Sequence, residues 1–159
     1  PRPSPPSASA STPVPGSRAG RAADVAGGLA YHSRVLLDTN IVIALFGSEP
    51  AVVQAIEAAD VVVVPAVVLG ELFFGARQSR RAAENLERLR EFAEAVPIVT
   101  CDAVTAEVYG EVKTQLRAKG TPIPENDVWI AALARQHELP LATRDAHVDA
   151  VPDLVVVRW

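Results

Sequence analysis

The sequence predicts an α/β fold in which a mostly parallel sheet of about four or five strands is flanked by helices. Short apolar, β-branched runs alternate with longer segments of helical periodicity from residue 34 onward. The clearest strand, Val61–Val64, consists of consecutive valines, which is typical of a strand buried on both faces of a parallel sheet. Helices between such strands imply right-handed crossovers, so the expected architecture is a three-layer sandwich.

Strands and helices alternate through the first half of this region. Gly47 is suited to end the first helix, and Pro50 lies near the first turn of the second. Pro65 stops the valine strand. The strands are expected over residues 34–37 and 61–64, and the helices over residues 40–46, 50–59 and 66–78.

The same alternation continues through the second half. Leu86, Leu89 and Phe92 recur at the spacing of one helix face, with charged residues on the other faces. Asp102 is suited to cap the following helix and Gly120 to end it. The helices are expected over residues 79–95, 102–119 and 126–137, and the strands over residues 96–100, 140–143 and 154–157.

The composition is that of one ordinary globular domain. With 159 residues, of which 49% are hydrophobic and 21% charged, the chain can bury a sizeable core. Its single cysteine, Cys101, excludes an internal disulfide and a cysteine-based zinc site, and it agrees with a reducing, cytoplasmic location. No apolar run approaches the ~20 residues needed to cross a membrane, so no membrane association is expected.

The first 33 residues differ from the rest in composition. Residues 1–15 contain six prolines, and residues 16–28 add glycine and arginine. Such a stretch buries little apolar surface, so we expect a disordered extension over residues 1–33 and the folded domain over residues 34–159. The extension lacks the apolar centre of a secretory signal. We expect a start assigned upstream of the native one, or an artificial extension, rather than a transit peptide.

Four acidic residues stand where a carboxylate is awkward: Asp38, Glu71, Asp127 and Asp145. Asp38 ends the first apolar strand, and Glu71 interrupts an apolar helix. Carboxylates in such surroundings are costly unless they are paired or bound to a cation. Asp38 and Asp145 follow the carboxyl ends of predicted strands, the edge where open α/β sheets place their sites. We therefore predict that all four converge on one cation site.

These acids fit an enzyme that acts on phosphate esters. Mg²⁺ prefers octahedral oxygen coordination and keeps several waters, so a few carboxylates suffice to hold it. Such ions activate a water and stabilise charge on the attacking and leaving oxygens of a phosphodiester. Thr39 and Asn40 directly follow Asp38 and are expected to orient it or to hold a metal-bound water. Without metal, mutual repulsion should raise the pKa of at least one carboxylate.

Each acid also has a purely structural explanation. Asp38 or Asn40 is suited to cap the first helix, and Glu71 could face water from an amphipathic helix. Asp127 lies at a helix start, where a negative charge complements the macrodipole. Asp145 is suited to an Asx-turn. Their joint occurrence, in order along the carboxyl edge of one sheet, favours the shared site.

The segments around these acids resemble the PIN domain, and in particular the VapC-type toxins of bacterial toxin–antitoxin pairs. The resemblance extends over essentially residues 34–159. Val148 departs from it, since relatives often carry an aromatic residue there, and the long N-terminal extension is unusual. The motifs that carry the resemblance are Leu36-Leu37-Asp38-Thr39-Asn40, Gly70-Glu71-Leu72-Phe73-Phe74-Gly75-Ala76, Asn126-Asp127-Val128-Trp129-Ile130-Ala131-Ala132 and Thr143-Arg144-Asp145-Ala146-His147.

This resemblance implies an endoribonuclease that depends on Mg²⁺ or Mn²⁺. It places the catalytic and metal-binding quartet on Asp38, Glu71, Asp127 and Asp145. Of these four, we expect Asp145 to be the one that acts through water rather than by direct ligation. It also implies RNA as the substrate, a cognate antitoxin that covers the site, and a homodimer. A non-catalytic PIN module that holds RNA or a partner is the alternative, although the complete quartet argues against it.

Other polar residues are assigned lesser roles. Arg77, Arg80, Arg81 and Arg144 are candidates for guiding phosphates, whereas most other basic residues are expected to pair with glutamates on helix faces. Asp149 is at most a peripheral helper. His32, His137 and His147 are expected to have surface or packing roles. Cys101 is expected to be a small core residue.

Charge and local sequence bear on the remaining classes of function. Residues 34–159 contain 12 lysines and arginines against 18 acidic residues, so the domain lacks the basic surface of a protein that binds nucleic acid by charge alone. A phosphatase with an aspartate nucleophile would want an acid where Asn40 stands. A dinucleotide-binding fold is disfavoured because no glycine-rich loop follows the first strand.

Overall fold

The structure is a computed structural model that describes residues 34–159, and the prediction for residues 1–33 lies outside that part. Five strands form one sheet in which every paired neighbour is parallel. The strands are β1 (Arg34–Leu37), β2 (Val61–Pro65), β3 (Ile98–Val99), β4 (Leu141–Ala142) and β5 (Val156–Val157). The helices are α1 (Thr39–Phe46), α2 (Pro50–Ala58), α3 (Ala66–Gln78), α4 (Ala82–Ala95), α5 (Ala103–Lys119) and α6 (Glu125–Gln136), with a 3₁₀ helix over Ala146–Ala150.

The strand order places a reversal of direction at the centre of the sheet. The order is β3-β2-β1-β4-β5, so the chain first moves outward from β1 to β3 and then returns to β4 on the other side. Leu36 of β1 is paired with both Val63 of β2 and Leu141 of β4. Right-handed crossovers place α1 to α4 on one face and α5 and α6 on the other. Ligand sites in open α/β sheets lie at such a switch point, outside the carboxyl ends of the strands.

The core lies on both sides of the central strands. Leu36 and Leu37 of β1 and Ile41 of α1 have no exposed surface. A smaller buried cluster joins α5 to α6 through Val112, Leu116, Val128, Ala131 and Val151. This packing fixes the carboxyl end of β1 and the first turn of α6. It therefore also fixes the positions of Asp38 and Asp127.

The outer strands are shorter than the sequence predicts. β3 covers only two residues instead of the five expected, and β4 and β5 are equally short. Pro97 has no N–H to donate, and its carbonyl accepts from the amide of Val64. The prediction that all four valines of β2 are buried is also wrong in part, because Val61 is 36% exposed at the sheet's amino end.

Two predictions near α4 need correction. The helix begins at Ala82 rather than at Ser79, because the Ser79 hydroxyl donates to the Ala76 carbonyl and accepts from Asn85, which holds a turn. Cys101 is exposed and not a core residue. It lies in the irregular segment between β3 and α5, where its side chain leaves the packed layer.

The ends of α5 agree with their predictions. Asp102 accepts from the amide of Thr105 at 2.9 Å, and the Thr105 hydroxyl accepts from the Asp102 amide at 3.0 Å, which completes a capping box. Gly120 ends the helix in the left-handed region, at φ 69°.

The helices of residues 34–159 are short compared with the thickness of a bilayer. No single helix there is long and apolar enough to cross a bilayer. α1 and α2 reach that length and composition only as a pair bent by 111°.

Candidate active site

The four predicted acids converge at the switch point of the sheet. Asp38 follows β1, Asp145 follows β4, Asp127 lies in the first turn of α6, and Glu71 lies on α3. The charges of the other three each raise the pKa of Asp127, so all three carboxylates lie close enough to interact electrostatically with Asp127. The structure therefore brings together every acid that the sequence predicts.

Asp38 is the most buried member, at 5% exposed. Its Oδ1 accepts from the amide of Thr39 at 2.7 Å, so it also caps α1. Its Oδ2 accepts from Asn40 Nδ2 at 2.8 Å and from Thr143 Oγ1 at 2.5 Å. Burial, together with the charge of Glu71, raises the pKa of Asp38, and these hydrogen bonds oppose that rise. The capping and cation-site explanations of Asp38 are thus compatible.

Glu71 is held between α1 and α6. The hydroxyl of Thr39 donates to its Oε2, and the amide of Asn126 donates to its Oε1 at 2.8 Å. Glu71 is half-buried and does not simply face water from α3. Its position therefore depends on residues that are distant in sequence.

Asp127 has the most perturbed acidity in the cluster. Burial, followed by the charges of Asp38, Asp145 and Glu71, raises its pKa from an ordinary 3.8 to about 6. A carboxyl that resists ionisation among other carboxylates indicates a site short of positive charge. Repulsion by the other acids contributes to the raised pKa, in agreement with the prediction, but burial is the larger cause.

Asp145 makes the predicted Asx-turn and has a histidine beside it. Its Oδ1 accepts from the amide of His147 at 2.8 Å, and it caps the 3₁₀ helix. The Nδ1 of His147 lies 3.0 Å from the same oxygen. Ligand atoms of Asp127, Asp145 and His147 all lie within 4.8 Å of one another. His147 is on the surface, as predicted, but it belongs to this cluster.

Thr143 and Asn126 are site residues that the sequence prediction missed. Thr143 is fully buried, donates to Asp38, and accepts from the amide of Asp145 at 3.0 Å and from Asn40 at 3.0 Å. Both residues lie within the quoted motifs, next to predicted acids. The sequence did contain signals for them. Thr143 places a hydroxyl at the carboxyl end of a strand, and Asn126 places a side-chain amide directly before Asp127.

Arg144 is already engaged away from the acids. Its guanidinium pairs with Glu49 at 2.6 Å and donates to the Trp159 carbonyl at 2.8 Å. The hydrogen bond and charge of Glu49 raise the pKa of Arg144, and Arg144 in turn lowers the pKa of Glu49. Its backbone amide donates to Asn40 Oδ1 at 3.0 Å. Contact between Arg144 and a phosphate stays a prediction, and this ion pair competes with it.

The other predicted phosphate guides lie farther along α3. Arg77, Arg80 and Arg81 are exposed at the end of α3 and in the turn after it. Arg88 instead lines a cleft of about 390 Å³ together with Thr39 and Glu71. Among the glutamate pairs expected on α4, Arg90–Glu87 is formed at 3.0 Å. The role of these arginines toward RNA stays a prediction.

Asp149 is paired outside the cluster. Its carboxylate lies 2.5 Å from the Arg158 guanidinium, which also donates to the carbonyls of Thr143 and Asp145. Arg158, which follows β5, therefore links the segment after β4 to the 3₁₀ helix, and its ion pair with Asp149 is part of that link.

The donor set fits a hard divalent cation. The cluster offers carboxylate oxygens from four directions, with waters able to complete an octahedron. Burial and three neighbouring carboxylates raise the pKa of Asp127, and His147 opposes that rise only in part. The described buried side-chain nitrogen and oxygen atoms all have hydrogen-bond partners, so the shell around the acids is already organised. Residues Asp38, Glu71, Asp127 and Asp145 are thus the ones that would hold the ion.

Fold and site together define a parallel α/β protein with a carboxylate cluster at its switch point. The PIN domain family model matches residues 35–154. The chain belongs to the PIN domain family, and within it to the VapC ribonucleases. The resemblance seen in the motifs is thereby confirmed.

Relatives in sequence and in structure agree with this assignment. Ribonuclease VapC2 of Haemophilus influenzae is 30% identical over 114 residues, which cover 70% of this chain and 86% of the relative. The crystal structure of VapBC2 from Rickettsia felis bound to a promoter DNA fragment is similar with a TM-score of 0.73 at 27% identity, covering 79% of this chain and 98% of that one. VapBC-5 from Mycobacterium tuberculosis, a member of the VapBC family of toxin–antitoxin systems, gives a TM-score of 0.64 at 27% identity, with 79% and 97% covered.

Proposed function

We propose that this chain is a divalent-metal-dependent endoribonuclease that acts as the toxin of a toxin–antitoxin pair. The observation that carries the proposal is the convergence of Asp38, Glu71 and Asp145 on Asp127, whose pKa burial and, after it, the charges of these three acids raise to about 6. Relatives named as ribonucleases support RNA as the substrate. Mg²⁺ is the expected ion, with Mn²⁺ as a substitute.

A bound divalent cation would supply charge neutralisation at the phosphate and a more acidic water. The chain's own residues set where this happens. Thr143 and Asn40 fix the direction of the Asp38 carboxylate, while Thr39 and Asn126 fix that of Glu71. Such pre-positioned carboxylates need no rearrangement when a substrate phosphate arrives.

The direct test is an isosteric substitution at the centre of the cluster. Asp127→Asn removes a charge but keeps the side-chain volume, so we expect a folded protein whose Mg²⁺- or Mn²⁺-dependent cleavage of purified RNA falls below detection. Asp60→Asn is the matched control, because Asp60 is exposed at the amino end of β2. Equal cleavage by the parent and the Asp127 variant would show that the roles are assigned wrongly.

A non-catalytic binding module is the second candidate. It would retain affinity for RNA or a partner but would have no need for cation uptake at these carboxylates. Calorimetric titration with Mg²⁺ separates the two functions, since the nuclease is expected to bind the ion and the module is not. The buried and oriented Asp38 favours the nuclease.

Partners follow from the relatives. VapBC structures in which toxin and antitoxin are bound together support a cognate antitoxin for this chain, and we propose a homodimer in a cytoplasmic setting. Co-expression with the product of a small neighbouring gene should yield a stable complex with suppressed RNA cleavage. Light scattering of the purified chain measures its oligomeric state.

A further inference from the structure

We propose that His147 is a direct nitrogen ligand of the cation held by Asp127 and Asp145, and that it raises the affinity of the site for a transition-metal ion more than its affinity for Mg²⁺. The inference rests on the proposed function, because it concerns the ion that the nuclease would use. It adds a ligand of a different chemical type to the four carboxylates.

The separation of Asp145 and His147 is that of neighbouring ligands on one octahedron, and Asp127 lies close enough to join them. His147 Nδ1 lies 3.0 Å from Asp145 Oδ1. Neighbouring ligands of an octahedral ion with bonds of about 2.1 Å lie about 3.0 Å apart, and opposite ligands about 4.2 Å apart. The ligand atoms of Asp127, Asp145 and His147 fall within 4.8 Å of one another. One ion can therefore contact all three residues.

The local backbone holds the imidazole in this place. Asp145 caps the 3₁₀ helix that carries His147, and the His147 amide donates to the Asp145 carboxylate at 2.8 Å. The two side chains thus leave the same turn in the same direction. Because the turn is short and hydrogen-bonded, little conformational freedom is lost when both bind one ion.

Packing does not account for the position of the histidine. Its side chain is 66% exposed, and within residues 34–159 its side-chain nitrogens have no recorded polar partner other than Asp145. An exposed ion pair of this kind contributes little to stability. A histidine on the solvent side of a carboxylate cluster is instead placed to close a metal site.

The type of ligand decides the selectivity. Mg²⁺ binds oxygen ligands and dehydrates reluctantly, whereas imidazole nitrogen suits transition-metal ions. A site with two aspartates and one histidine should therefore gain more affinity for Mn²⁺ than for Mg²⁺ from its histidine.

The test uses Mn²⁺ on the untagged full chain, because Mn²⁺ is paramagnetic. Pulsed electron paramagnetic resonance should detect the coupling of a directly bonded ¹⁴N nucleus in the parent protein. His147→Ala should lower Mn²⁺ affinity on the order of tenfold and Mg²⁺ affinity by less than about twofold. His147→Asp should keep Mn²⁺ bound through oxygen while the nitrogen coupling disappears. His137→Ala, at an exposed histidine after α6, is the control and should retain both.

The outcomes separate this inference from the function beneath it. Mn²⁺ bound at Asp127 without nitrogen coupling, or with coupling that survives in His147→Asp, would overturn the histidine ligand and leave the proposed nuclease standing. No Mn²⁺ uptake by the parent would overturn both. Loss of coupling in the His147 variants alone would establish the ligand.

Discussion

The carboxyl groups of Asp127 and Asp38 lower the stability of the fold when they ionise without a cation beside them. Both are partly or fully withdrawn from water, and both have raised pKa values with burial as the main cause. A group whose pKa is higher in the folded chain than in the unfolded chain destabilises the fold once it ionises. The buried carboxylates thus lower the free energy of unfolding, and a bound cation would offset that loss.

The pH dependence of the metal-free protein tests this at Asp127. The pKa of Asp127 is about 6 in the fold, against an ordinary 3.8. Between these values the folded chain holds more protons, so its free energy of unfolding falls as pH rises from about 4 to about 6 and levels off above. Because the group is half exposed, solvent screening reduces the effect to about 1 kcal/mol.

The measurement is denaturant unfolding in EDTA across that pH range, for the parent and for Asp127→Asn. The variant cannot ionise at this position and should be more stable above pH 6, with a shallower slope below it. Parallel curves for the two proteins would show that the cluster does not perturb Asp127.

Thr143 carries a second prediction at the residue scale. It is fully buried and donates to Asp38 at 2.5 Å. Thr143→Val keeps the shape but removes the hydroxyl, so we expect a loss of about 1–3 kcal/mol in unfolding free energy and of roughly 10–100-fold in cleavage. Thr143→Ser, which retains the hydroxyl, should stay close to the parent in cleavage rate. A valine variant as active as the parent would contradict the positioning role.

At the scale of the elements, α5 shows how local sequence fixes a helix. A capping box begins it at Asp102, and Gly120 ends it at φ 69°. Gly110, in contrast, lies in the interior of the same helix, with open space where a Cβ would stand. Replacing each of these glycines with alanine is therefore expected to have opposite effects on the stability of the fold.

We expect Gly120→Ala to lower the free energy of unfolding by about 1 kcal/mol, because an L side chain is strained in the left-handed region. Gly110→Ala in the helix interior should raise it by roughly 0.5–1 kcal/mol. Thermal unfolding of the two variants beside the parent measures both. Shifts of the same sign would mean that backbone conformation at these positions does not control α5.

At the scale of the whole fold, the four acids of the site lie together at one edge of the sheet. Residues 34–159 carry 18 acidic against 12 basic residues, and the quartet gathers where the strand order reverses. A cation that binds only the folded chain stabilises it by an amount that grows with the logarithm of the ion concentration above the dissociation constant, since the unfolded chain has no such cluster.

Addition of Mn²⁺ at about a hundred times its dissociation constant should raise the unfolding free energy by about 2.7 kcal/mol, or roughly 10 °C in Tm. EDTA should reverse the change. Asp127→Asn should lose most of the shift, and Asp60→Asn should keep it. An equal shift in all three proteins would place the ion elsewhere.

The sequence by itself determined the parallel α/β class, the main helices, the cap of α5 and the identity of the four acids. These follow from periodicity, capping residues and motifs, which act over a few neighbours. It misplaced the start of α4, where a serine turn overrides helix propensity, and the length of β3, where Pro97 has no N–H to extend the pairing.

Only the tertiary structure decided which groups hold the acids. Thr143 reaches Asp38 across 105 positions, and Asn126 reaches Glu71 across 55. It also turned Arg144 toward Glu49 and His147 toward Asp145. Such contacts depend on the strand order and on the direction of side chains in turns, which local sequence does not specify. Parallel pairing of β1 with β4 brings the ends of distant segments together, and so it decides the site.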